Sequence, residues 1–159
     1  MSKYDDDGKA SKYDDDEEIE GKDSALEIVE LTRLQVSPEE GMISDGIELE
    51  VDFNLEKRVE EASWEIKMVV DSTHKRHIIV LGSTDTEDYD EGANNFYFSI
   101  PSIDVSGITA GTLTNAGLLV ASLKGIVDDA QMEVIDVNMV VQVIEEEGAF
   151  RRTIYNPLE

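Results

Sequence analysis

The chain contains no cysteine. Disulfides and thiolate metal sites are therefore excluded, and a reducing compartment, nuclear or cytoplasmic, is the expectation. Only two histidines are present, His74 and His77, and they flank Lys75 and Arg76. A zinc site would have to use both beside two cations, so the stretch reads as a polar turn and no metal or other cofactor is expected. No apolar run approaches the ~18 residues that cross a bilayer, and the acidic first residues are unlike a signal or transit peptide. Neither a phosphate-cradling glycine loop nor a glycine-framed serine elbow occurs, so no catalytic residue is assigned and no enzymatic activity is expected. Basic residues are scarce, 13 Lys and Arg against 37 Asp and Glu, a formal charge of −24. A field of that sign repels nucleic acid and anionic lipid, which excludes both as direct partners, and it draws in basic proteins.

What is abundant is acid, and it is unevenly placed. Ser2-Lys3-Tyr4-Asp5-Asp6-Asp7 recurs as Ser11-Lys12-Tyr13-Asp14-Asp15-Asp16. Residues 1–24 hold ten acids and four lysines, net −6, which leaves −18 on the remainder. Met1 and Ile19 are the only large aliphatics of that segment. It has too little apolar surface to offset the entropy of ordering, so 1–24 is expected to be a disordered acidic tail and 25–159 a single folded domain. The repeat fails as a calcium loop: with Gly8 at the sixth position, the first ligand position falls on Lys3.

From Leu26 onward the dominant period is two. Ile47, Leu49, Val51 and Phe53 alternate with Glu48, Glu50 and Asp52, which predicts a strand with one buried face. Ala62, Trp64, Ile66, Met68 and Val70 repeat the pattern, as do Phe96, Phe98 and Ile100. Ile135 to Val143 and Phe150-Arg152-Ile154 follow it around a Glu145–Gly148 turn, and Ile78–Leu81 is a short apolar strand. Glycines at 107, 111, 117 and 125 argue against a long helix, so the intervening region is expected to be a turn of helix and then a strand at Leu118–Leu123. Seven or eight strands in this length predict an antiparallel immunoglobulin-like β-sandwich, all-β.

Two features are candidates for partner contact. The first is the acidic loop between Ser83 and Asn95, with Asp85, Glu87, Asp88 and Asp90. It is also the best calcium candidate, although Gly92 at position six of a linear loop would make Tyr89 a ligand, and that register fails. The second is the strand through Met139-Val140-Val141, apolar on both faces, which reads as a central strand or as a hydrophobic docking face.

Four stretches resemble the anti-silencing-function histone chaperones. They are Glu48-Leu49-Glu50-Val51-Asp52-Phe53, Trp64-Glu65-Ile66-Lys67-Met68-Val69, Val137-Asn138-Met139-Val140-Val141, and Phe150-Arg151-Arg152-Thr153-Ile154-Tyr155-Asn156, spread over 28–156. The resemblance implies a sandwich that holds a core-histone pair through an apolar strand, an arginine on the next strand and acids after the tryptophan strand. By position these are Met139 with Val141, Arg152, and the acidic run Asp85–Asp90. The chain departs from the pattern directly after the Trp64 strand, where His74-Lys75-Arg76-His77 stands, and Val105–Asp129 has no counterpart. The expected function is a non-catalytic acidic module that binds a basic protein, histones being its sharpest form. An adaptor subunit of a larger assembly and a calcium-binding sandwich are the alternatives.

Overall fold

The alternation from residue 29 onward dictates strands, and the structure, a computed structural model describing residues 28–71 and 74–158, is built almost wholly of them. The acidic tail and the expected strand start at Leu26 lie outside the described residues. The elements run β1 (Val29–Ser37), β2 (Glu40–Met42), β3 (Asp45–Leu55), β4 (Val59–Val70), β5 (His77–Ser83), β6 (Glu87–Tyr89) and β7 (Gly92–Ser102). A single turn of helix, α1 (Ala110–Leu113), precedes β8 (Gly117–Val127), β9 (Ala130–Glu146) and β10 (Ala149–Tyr155). The helical turn followed by a strand is as the glycine spacing predicts. Among the described residues ten strands form rather than seven or eight; the additions, β2 and β6, are three residues each, too short to show a period.

All pairings are antiparallel, in two sheets. The small sheet has the order β1-β3-β7, and the large one β2-β10-β9-β8-β4-β5, with β6 continuing along the same edge of β4 as β5. First, second and fifth long strands in one sheet against third, fourth, sixth and seventh in the other is the immunoglobulin arrangement, extended here by β10 and β2. Two-residue turns close the last hairpins. Both residues of each turn, Asp128 with Asp129 and Glu147 with Gly148, have positive φ. That left-handed pair suits the twist of the flanking strands.

The alternating residues meet between the sheets. Leu49, Val51, Trp64, Ile66, Leu119, Leu123 and Met139 are fully or almost fully buried. At the centre, Phe53 lies edge-on to Trp64 and to Tyr89, both at 5.3 Å between ring centroids, and Trp64 stacks on Phe96 at 4.4 Å. Such pairs add about 0.5–1.5 kcal/mol each beyond the area they bury. Tyr89 is the one that β6 contributes, and its pairing opposite Val59 brings the ring inward.

The Tyr89 hydroxyl is buried and, among the described residues, closes no hydrogen bond of ordinary geometry. Burial, reinforced by the Glu87 carboxylate and opposed by the neighbouring Trp64 indole, pushes its pKa up to about 12 from an ordinary 10.0. Because the folded state holds this proton more tightly, the contribution to stability is complete below about pH 10 and is lost as pH rises towards about 12. Tyr89→Phe is therefore expected to be neutral or slightly stabilising at neutral pH. In the alkaline window it should escape a loss of about 2–3 kcal/mol that the parent suffers. Urea unfolding of both proteins across that range measures the difference; parallel pH profiles would refute it.

Candidate functional site: an acidic end of the sandwich

Three connections converge at one end of the sandwich: the β3–β4 loop with Glu56, Lys57 and Arg58, the β6–β7 loop with Asp90 and Glu91, and the β8–β9 turn of Asp128 and Asp129. Glu60 and Glu61 at the start of β4 and Glu87 and Asp88 on β6 border them. All eleven of these side chains are exposed, nine acids against two cations, net −7. Two cations lock the connections together. Lys57 donates to Asp128 at 2.6 Å, and Arg58 donates to Asp88 at 2.9 Å and to Asp90. The Lys57 ammonium is held protonated above its usual range, first by the hydrogen bond to Asp128 and then by its charge. Arg58 shifts the same way, chiefly through its hydrogen bond to Glu60. A groove of about 570 Å³ runs beside them, lined by Glu56, Glu60, Glu91 and Asp129 together with Lys57, Arg58 and Asp128.

Asp88 also has a local task. Its second oxygen accepts the Glu61 backbone N–H at 2.9 Å, where β4 bulges and Glu61 takes a positive φ. Gly125 on β8 faces this bulge, with the Glu60 carbonyl 3.0 Å from where a Cβ would stand. One carboxylate thus satisfies a donor that the ladder leaves open and anchors a cation of the next loop.

The seven residues predicted from sequence do not form one surface. Asp85, Glu87, Asp88 and Asp90 are all exposed, on and around β6. Met139 (0 % exposed), Val141 (2 %) and Arg152 (1 %) turn into the core, beyond β4 and β8. The sequence reading expected these three at a partner contact; in this structure none of them presents its side chain to solvent. β9 is the central strand between β8 and β10, and its exposed large apolar residues are Val140 and Ile144. Val140 belongs to a row of apolar side chains across five strands, set by register as Tyr155, Val140, Leu118, Val69 and Ile78. Arg152 instead serves the fold. It donates to the backbone carbonyls of Ile43 (2.9 Å), Asp45 (2.6 Å) and Gly46 (2.9 Å), pinning the β2–β3 corner. Its phase with Phe150 and Ile154 is the sequence signal that fits this inward position.

Sequence reasoning missed Glu56, Glu60, Glu91, Asp128 and Asp129 as parts of one site. The only local signal was the Asp128-Asp129 pair, a two-residue hairpin turn between apolar strands. Among the described residues, no three His, Asp or Glu side chains come together in a geometry that could hold a metal ion. The outer face of the small sheet is also acidic but largely satisfied: Arg33 bridges Glu50 and Asp52, and Asn95 donates to both.

Fold and site together define an immunoglobulin-like β-sandwich with a polyanionic loop end. No protein-family model matches the chain, and no curated protein matches it by sequence.

Proposed function

We propose that this protein is a non-catalytic binding module that takes a basic protein on the acidic end of its sandwich. The observation that carries the reading is the concentration of nine exposed acids and two cations on segments drawn from three parts of the chain. Clustering charge of one sign raises encounter rates with an oppositely charged partner and fixes its orientation. Ile28 lies at this same end, its carbonyl accepting the Glu56 N–H at 2.8 Å. A core-histone pair is the sharpest instance of such a partner, and it rests on the sequence resemblance alone.

The test separates position from charge. Glu56→Lys, Glu91→Lys and Asp129→Asn together should weaken binding to a core-histone pair about tenfold or more at moderate salt, and flatten its salt dependence. The same change in charge placed elsewhere, as Glu48→Lys, Asp136→Asn and Glu145→Lys, should cost much less. Equal losses in the two variants would refute a localised site. No binding by the parent at low salt would remove histones.

A further inference from the structure

The edge strand β5 is the part of the surface that the acidic end does not explain. Natural sheets protect such edges with charge, proline or bulges, because unpaired N–H and C=O groups recruit other strands. From Ile78 to Ser83 the strand has neither a charge nor a proline. Its one protective device is a bulge at Leu81, where the register against β4 slips, and His77–Val80 is regular. Ile78 and Val80 stand opposite Val69 and Lys67, on the outer face, and are 52 % and 60 % exposed. Among the described residues only β4 pairs with β5.

The charge around this edge is unlike the rest of the chain. The stretch 63–84 is net +1 within a total of −24. It is also polar end to end: Lys75 and Arg76 precede β5, and Asp85, Glu87 and Asp88 follow it along the same edge of β4. The Thr84 N–H donates to the Trp64 carbonyl at 2.9 Å, which holds that acidic continuation in line with the strand. An apolar segment with a cationic start and an anionic finish is complementary to itself when reversed.

We infer that β5 is a self-association edge, pairing antiparallel with β5 of a second copy about a twofold axis. Centred on Ile79, the pairing sets Ile78 of each copy beside Val80 of the other. It brings Lys75 of each copy towards Thr84 and Asp85 of the other, twice by symmetry. The outer apolar row then continues into the second molecule. The two acidic ends point in opposite directions, so each stays open to its own partner.

Sedimentation of the full chain between about 1 and 100 µM should show a concentration-dependent dimer, in the range expected of a small interface. Val80→Lys should weaken it at least tenfold. Lys75→Glu and Asp85→Lys should each weaken it, and the two together should restore it, an outcome that loss of folding cannot mimic. A monomer throughout the range overturns the proposal, as does a dimer indifferent to Val80→Lys or a double reversal that fails to rescue.

Discussion

Arg152→Ala is expected to lower unfolding free energy by about 3–5 kcal/mol, the largest single effect predicted for this domain. The guanidinium is 1 % exposed and, among the described residues, faces no carboxylate within ion-pair distance; its partners are the three carbonyls of the β2–β3 corner. Burial lowers its pKa, with Asp45 opposing the shift. A guanidinium nevertheless remains charged at any ordinary pH. Removing the side chain orphans three acceptors, one buried and two part-buried, and leaves a void on the inner side of β10. Arg152→Lys should recover little, because one ammonium cannot reach three carbonyls as a planar fork does. Arg152→Met should fall between, restoring volume without donors. Equilibrium denaturation of the three variants tests the order. An Arg152→Ala protein within about 1 kcal/mol of the parent would mean that the corner holds without its arginine.

The second large effect lies at the same corner. Gly46→Ala should cost about 3 kcal/mol, at the upper end of overpacking. Its Cβ would overlap the Ile100 carbonyl oxygen and stand 2.5 Å from the Pro101 backbone. These are main-chain atoms of β7, paired to β3 on either side, so they cannot swing aside as a side chain would. Either β7 detaches over its last turn or β3 shifts, and the second moves the Gly46 carbonyl away from Arg152. Gly46→Ala and Arg152→Ala should therefore be non-additive, their combined cost falling short of the sum. A thermal and urea series on both singles and the double measures the coupling; simple additivity would show that the two contacts are independent.

Much of this fold was legible in the chain because strand burial is a local property. Glu48, Glu50 and Asp52 between Ile47, Leu49, Val51 and Phe53 leave one arrangement that keeps the acids in water, and the structure adopts it. Arg152 shares that phase with Phe150 and Ile154, although the resemblance assigned it to partner contact, and the structure buries it. The alternation fell silent at Met139-Val140-Val141, where both phases are apolar. There only packing against β8 and β10 turned Met139 and Val141 in and left Val140 out. The acidic site was less legible still. Asp90, Glu56 and Asp129 are scattered over more than seventy positions, and no periodic pattern links loops.

By itself the sequence determined that the domain is all-β, that its interior is apolar and that its surface is anionic, since these follow from composition and from the phase of neighbouring residues. Tertiary structure alone decided where the negative charge gathers and which edge is left unpaired. Both depend on which strands lie side by side, and that is set by contacts between residues far apart in the chain.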